Sequence, residues 1–324
     1  MKAFPQHPQK ILVRSTNWIG DAVMTTPAVR TIRENFPESE ITLLAHPWVG
    51  DVFRFSPRID RLLVYEKKGR HKGIRGMVQL ARELRQERFD CAILLQNAFE
   101  AAFITWMAGI PVRAGYTTDG RGLLLTHGVH KTMEAVKKHE VYYYQRIMLG
   151  LGLRPAVNEL ELFIPGDQIN AVKARVGAMA GFEIGSRPLI GLNPGAAFGP
   201  AKRWPAEKYA QLAQLICRDF PAWIVLFGSE ADHATCTEII AQSGTAAPRM
   251  LNLAGATSLV EAMALIGECD VFVTNDSGLM HVAAALHTPL VAIFGSTDHV
   301  ATGPYSDNAV ILRKPLPCSP CKKT

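Results

Sequence analysis

The feature that most constrains this chain is an alternation of strands and helices that stops and then starts again. "KILVRS" (10–15), "EITLLAH" (40–46) and "CAILLQ" (91–96) are short apolar runs that read as buried strands. Helical patterns lie between and after them. They cover residues 20–35, ended by Asn35 and Pro37, then 77–87, 99–108 and 138–151. In the second of these, Met77, Leu80, Ala81 and Leu84 share one face. A Pro-bearing stretch, "LRPAVNELELFIPGDQ" (153–168), interrupts the pattern as a linker. It then resumes with strand 188–194, helix 205–220, strand 223–229 and helix 231–242. "MLNLAG", helix 258–268, strand 270–275, a helix opened by Ser277-Gly278, and strand 289–294 complete it. Strands separated by helices pair in parallel. The restart predicts two α/β domains, residues 1–165 and 166–324. Ligands of such sheets sit at the carboxyl ends of the strands, and in a two-domain version those ends can face one central cleft.

Charge is unevenly divided. Residues 1–165 hold 23 Lys/Arg against 16 Asp/Glu, whereas residues 166–324 hold 12 against 13. The densest basic run is "EKKGRHKGIR" (66–75). It is either a solvated loop or the mark of an anionic partner on the first half. No zinc finger, RRM or helix-turn-helix signature is present, so a nucleic-acid partner is not expected. No run of about 18 apolar residues occurs, and the first residues show no apolar signal segment. Cys91, Cys217, Cys236 and Cys269 lie singly in apolar patterns and read as buried thiols. A reducing, cytoplasmic compartment is expected. Cys318 and Cys321 form a lone C-x-x-C, compatible with redox chemistry, zinc or neither.

Four loops that follow strands carry unusual chemistry. In "STNWIGDAVMTTP" (15–27), Asp21 either complements a helix dipole or acts as a base, with Gly20 letting the backbone approach a ligand. "NPGAAFGPAKRWP" (193–205) is no Walker A loop, but Gly195, Ala196, Ala197 and Lys202 suit a phosphate loop; the alternative is a surface basic pair, Lys202-Arg203. In "FGSEADH" (227–233), Glu230 and Asp232 either cap a helix or meet ribose hydroxyls. In "TNDSGLMHVAAAL" (274–286), a strand end feeds a helix N-terminus, a usual anion site, yet Asp276 stands at its entrance. His281 further along that helix reads as a core histidine or part of the site. No G-x-G-x-x-G follows an early strand, so a nicotinamide enzyme is poorly supported.

The motifs "NWIGDAVMTTPAVRTIRENFP", "NPGAAFGPAKRWP", "NLAG" and "TNDSGLMHVAAAL", in this order over residues 17–294, resemble those of the ADP-heptose:lipopolysaccharide heptosyltransferases of glycosyltransferase family 9. "FGPAKRWP" and "NDSGLMHVAAAL" follow the type II pattern of that family. The resemblance implies a GT-B fold, two Rossmann-like domains facing a central cleft. It implies a first domain for an anionic inner-core lipopolysaccharide acceptor and a second for ADP-L-glycero-D-manno-heptose. By the same resemblance Asp21 is the catalytic base and Lys202 meets the diphosphate. Asp276 meets the donor sugar, with Ser277, Gly278, Leu279 and His281 completing the donor loop and Glu230 and Thr257 beside it. Ala196-Ala197 stand where type I members have Thr-Thr, so backbone N–H groups would replace hydroxyl contacts to phosphate. Acceptor candidates are Lys67, Lys68, Arg70, Lys72, Arg113, Arg121, Lys137 and Lys138.

The expected chemistry is inverting glycosyl transfer. No D-x-D occurs, so no metal and no cofactor are expected. The protein would be cytoplasmic and peripheral to the inner membrane leaflet. The competing readings are a heptosyltransferase for another inner-core acceptor, a GT-B sugar-nucleotide epimerase and a non-catalytic nucleotide-sugar binder.

Overall fold

A computed structural model describes residues 4–131, 138–197 and 199–321. Lys137 and Phe198 lie outside them. The chain divides into two compact units, Met1–Phe163 and Ile164–Thr324.

The first unit is built on β1 (Lys10–Arg14), β2 (Glu40–Ala45), β3 (Arg61–Val64), β4 (Cys91–Leu94), β5 (Val112–Tyr116) and β6 (His127–Val129). Their order across the sheet is β3-β2-β1-β4-β5-β6, and every pair is parallel. β1, β2 and β4 are buried almost throughout, as strands covered on both faces must be, which is why they read as continuous apolar runs. The helices are α1 (Ile19–Met24), α2 (Thr26–Asn35), α3 (Pro47–Gly50), α4 (Gly73–Glu87), α5 (Phe99–Met107) and α6 (Glu140–Gly150).

The helix expected over 20–35 is two helices, broken at Thr25. Pro27 explains the break. It has no N–H to give the carbonyl of Val23, and the Thr26 hydroxyl takes that carbonyl instead at 2.8 Å. The Thr25 hydroxyl does the same for Ala22 at 2.6 Å. The same face of α2 then holds the extended segment 154–161. Thr26 Oγ1 accepts from the Glu161 N–H at 3.1 Å, and Thr31 Oγ1 from the Ala156 N–H at 3.1 Å. Asn35 meets both main-chain groups of Arg154, at 2.8 and 2.9 Å. Arg30 and Arg58 clasp the Glu161 carboxylate, each through Nε at 2.9 Å.

The second unit repeats the plan. Its strands are β7 (Leu189–Asn193), β8 (Trp223–Leu226), β9 (Met250–Asn252), β10 (Val271–Asn275), β11 (Leu290–Phe294) and β12 (Ala309–Arg313). The order is β12-β11-β10-β7-β8-β9, again all parallel. Its helices are α7 (Gly166–Ala180), α8 (Ala206–Asp219), α9 (His233–Gln242), α10 (Leu259–Gly267) and α11 (Gly278–Ala285). α7 begins inside the stretch read as linker, with Pro165 at its N-cap. Cys91, Cys217, Cys236 and Cys269 are buried thiols, and burial pushes Cys91 and Cys236 up to about 12.

In each sheet the strand order reverses direction once, between β1 and β4 and between β7 and β10. The two loops leaving such a pair head to opposite faces and open a crevice at the carboxyl ends. The fold therefore places one candidate site in each unit.

Candidate active site

In the second unit, the crevice lies between the loops after β7 and β10. Two asparagines lock their ends together. Asn193 Nδ2 donates to Thr274 Oγ1 at 2.8 Å and to Ser277 Oγ at 2.7 Å. Asn275 Nδ2 donates to the Pro194 carbonyl at 2.7 Å, and its Oδ1 accepts from the Trp204 N–H at 3.1 Å. The loop 194–204 is thereby pinned at both ends to β10. With the Ser277 hydroxyl engaged by Asn193, its side chain gives α11 no cap. The first N–H groups of that helix carry its positive dipole end.

Lys202, at the end of a short 3₁₀ turn in the same loop, donates to Asp276 Oδ2 at 2.7 Å. Thr297 Oγ1 donates to the same oxygen at 2.7 Å. Asp276 is buried, and among the described residues no hydrogen bond reaches its other oxygen, Oδ1. The sequence reading set Lys202 and Asp276 on different parts of a ligand; here they are partners.

Beside this pair, Gly195 packs on the Asp232 carboxylate so closely that a Cβ would meet it at 2.7 Å. Asp232 forms a capping box with Ser229, accepting from its N–H at 2.9 Å and its hydroxyl at 2.7 Å. Arg203 lies 3.7 Å from the other carboxylate oxygen. Asp232 is thus a structural cap, while Glu230 is exposed and lies over Gly255. Gly255 has φ +76, and a Cβ there would meet Glu230 Oε2 at 2.1 Å. Thr257 is half-buried just before Ser258, the N-cap of α10. Ala196 is buried and Ala197 exposed, while Gly278 and Leu279 are half-buried in the first turn of α11. His281 is buried within α11.

Thr297 escaped the sequence reading, as did Asn193 and Asn275. A signal existed. "FGSEADH" after β8 returns as "FGSTDH" (294–299) after β11, so the two loops flanking the crevice share one motif.

In the first unit, Asp21 lies half-buried in the first turn of α1, after β1. α6 supplies its surroundings. Burial, and then the Asp21 charge, push Glu140 above the usual carboxylate range. Burial and the same charge also push up the Tyr144 phenol.

The acceptor cations divide. Lys67, Lys68, Arg70 and Lys72 are exposed in the loop after β3. Lys67 pairs with Glu100 at 2.6 Å, Arg70 approaches Glu66 and Glu83 at 3.6 and 3.7 Å, and Lys72 is the N-cap residue of α4. Lys138 is exposed, with its ammonium over the Tyr142 ring.

Arg121 and Arg113 donate to the protein's own oxygens. Arg121 is wholly buried, donating to the carbonyls of Tyr116 (2.7 Å) and Gln96 and to Asn97 Oδ1 (3.0 Å). It ties the ends of β4 and β5 together, and burial lowers its guanidinium to about 10. Arg113 sits near the start of β5, the edge away from the loops after the strands, and donates to the carbonyls of Leu124 (2.6 Å) and Ile110. Cys318 and Cys321 are exposed thiols, and no group of three or more His, Cys, Asp or Glu among the described residues could hold a metal ion.

Comparison with known proteins gives a consistent result. The family model of glycosyltransferase family 9 (heptosyltransferase) matches residues 77–324. The chain is 36% identical over 312 residues to a lipopolysaccharide heptosyltransferase 2 of Salmonella typhimurium, covering 94% of this chain and 88% of that one. Among solved structures, the ADP-heptose lps heptosyltransferase II of E. coli matches with a TM-score of 0.82 and 34% identity, over 94% of this chain and 90% of that one. A glycosyl transferase family 9 protein of Veillonella parvula matches with a TM-score of 0.86 and 28% identity, over 96% and 88%.

Proposed function

The chain belongs to glycosyltransferase family 9, the heptosyltransferases, and from that premise we propose that it moves L-glycero-D-manno-heptose from ADP-heptose to the heptosyl-Kdo2-lipid A inner core of lipopolysaccharide. Its GT-B fold, with two Rossmann-like parallel-sheet units, suits that role. The observation that carries the reading is the Lys202–Asp276 pair at the β7/β10 crevice, beside the uncapped start of α11. A nucleotide sugar offers that site a diphosphate for the cation and the helix N–H groups, and hydroxyls for the carboxylate. Asp276 Oδ1 is the oxygen left for those hydroxyls.

Transfer with inversion is a single displacement. Asp21 takes the proton of the acceptor hydroxyl, and that oxygen bonds to the anomeric carbon as the bond to the diphosphate breaks. Charge then develops on the departing ADP, where Lys202 and the α11 N–H groups stabilise it more than in the ground state. The base belongs to the first unit and the donor grip to the second. A positioned base contributes about 10²–10⁴-fold to rate. Asp21→Ala is therefore expected to keep ADP-heptose affinity and lose turnover by that order; near-normal kcat would remove Asp21 from the role.

The acceptor is an acidic glycolipid, and the basic loop after β3 is the surface we assign to it. Contact with the inner leaflet of the membrane follows from where that glycolipid is displayed. No helix among the described residues is long and apolar enough to cross a membrane. One assay tests the whole reading. The protein is incubated with ADP-heptose, with and without heptosyl-Kdo2-lipid A, while ADP and the sugar are followed. ADP release only with acceptor is expected. An altered sugar without acceptor would indicate an epimerase instead, and no change in either would indicate a binding protein.

A further inference from the structure

At the carboxyl end of β2, three rings stack from the core to the surface. Tyr65 and His46 are both buried, with centroids 4.9 Å apart and planes 23° apart. His46 stacks on Trp48 at 4.7 Å and 11°, and Trp48 is 43% exposed. The outer indole cannot turn freely. Its Nε1–H donates to the Asn17 carbonyl at 2.9 Å, while His46 covers one face. The base of the stack is equally fixed, because the Tyr65 hydroxyl donates to Glu100 at 2.8 Å.

Behind the stack lies a buried cation. Arg14 is 2% exposed at the end of β1, its guanidinium 5.5 Å from the Tyr65 ring centre. It donates to the Ser15 carbonyl at 2.5 Å and to Asn17 Oδ1 at 3.0 Å, and lies 3.4 Å from His46 Nε2. No carboxylate among the described residues is within ion-pair distance of it. The His46 Nδ1 side faces the Tyr65 carbonyl at 2.9 Å, so Nδ1 carries the proton. Burial and Arg14 both hold His46 below the usual imidazole range. The hydroxyls of Ser15 and Thr16, on the segment that holds both Arg14 and Trp48, are buried without a hydrogen-bond partner. The Lys68 ammonium lies over the Trp48 ring, 5.9 Å from its centre, and Trp18 is 52% exposed beside Asn17.

A ring held flat and 43% exposed, at the ligand edge of a parallel sheet, has a chemistry of its own. Its face is electron-rich. The C–H face of a pyranose carries the matching positive hydrogens, and the buried guanidinium and Lys68 favour an anionic substituent on that sugar. We propose that the exposed Trp48 indole, with the mobile Lys68 side chain swinging from over the ring to the sugar's anionic substituent, is a stacking platform for an acidic sugar ring of the acceptor. This rests on the acceptor assignment above and deepens it, since it moves recognition from the basic loop alone to a rigid aromatic face beside it.

The test compares Trp48→Leu, which keeps apolar bulk, with Trp48→Phe, which keeps an aromatic face. Because an aromatic stack is a modest interaction, Trp48→Leu is expected to raise acceptor KM about threefold to tenfold. Donor KM should not move, and the acceptor KM of Trp48→Phe should stay within about twofold of wild type. A second readout needs no turnover. The delipidated acidic oligosaccharide of the acceptor should change tryptophan fluorescence in the wild type, and that change should be lost in Trp48→Phe. An unchanged acceptor KM in folded Trp48→Leu, equal losses in both variants, or a fluorescence change retained in Trp48→Phe would each overturn the platform. Absence of acceptor-dependent ADP release in the wild type would overturn the enzyme assignment instead. The oligosaccharide titration would still decide the platform.

Discussion

Asp276→Asn separates the two halves of the donor grip. In the wild type Lys202 and Asp276 are 2.7 Å apart, with side chains only 15% and 7% exposed. At an effective dielectric near 20, that separation corresponds to a gross attraction of about 6 kcal/mol, most of it cancelled by desolvation. An incoming diphosphate must compete for the same ammonium. Removing the carboxylate charge removes that competitor for the ammonium, while Asn keeps the shape and an acceptor oxygen for Thr297. ADP affinity should therefore hold or tighten. ADP-heptose has a further contact to lose. A hydrogen bond from a sugar hydroxyl to a carboxylate is worth about 1.5–3 kcal/mol, and a neutral amide keeps part of it, so a loss of about tenfold to thirtyfold is expected. Calorimetric titration of wild type, Asp276→Asn and Lys202→Met with ADP and with ADP-heptose provides the comparison. Lys202→Met should weaken both ligands. If Asp276→Asn weakens ADP and ADP-heptose equally, the carboxylate does not address the sugar and the reasoning fails.

Three further outcomes follow from the first unit. Arg121→Met strips buried carbonyls of their charged donor and should cost about 3 kcal/mol in urea unfolding. It should leave the salt dependence of acceptor KM as it was; a stable variant with altered salt dependence would restore Arg121 as a ligand contact. Glu140 is harder to ionise in the folded unit, through burial first and Asp21 second. Its folded pKa thus lies above its unfolded one, and stability falls as pH rises through the folded value. Glu140→Gln should then melt higher than wild type at pH 8, with the gap closing below pH of about 4; a constant gap would refute this. Finally, if Lys67, Lys68, Arg70 and Lys72 face the acceptor, its KM should rise with salt through screening while donor KM changes less. Equal responses would argue against that surface.

The sequence was most readable where burial is greatest. β1, β2, β4, β7, β8, β10 and β11 announce themselves as apolar runs because both faces are covered. β3, β5 and β6 do not. β3 is partly exposed, β5 contains Arg113 and Gly115, and β6 has three residues. Their place is set by neighbouring strands rather than by their own pattern. The same limit explains the site. The four loops were legible because Gly, Pro and charged residues crowd after strands. The Lys202–Asp276 pair was not, because the two residues stand 74 positions apart and only the β7–β10 pairing brings them together. Arg121 is a related case: a positive charge in the sequence says nothing of whether it faces water or the protein's own oxygens.

One further consequence concerns the extended segment 154–161. Thr26, Thr31 and Asn35 hold it by main-chain groups. A strand held that way is recognised for having a backbone, whatever side chains it carries. The exposed Arg154 and Val157 should therefore tolerate many substitutions, whereas Leu160, which is buried, and Glu161, through its two arginines, should not. The constraint falls on α2 instead, whose threonines and asparagine must stay to serve as a neighbouring strand's edge would. Tolerance at the exposed positions of the connecting segment and intolerance in a helix distant in sequence are thus the expected two sides of one contact.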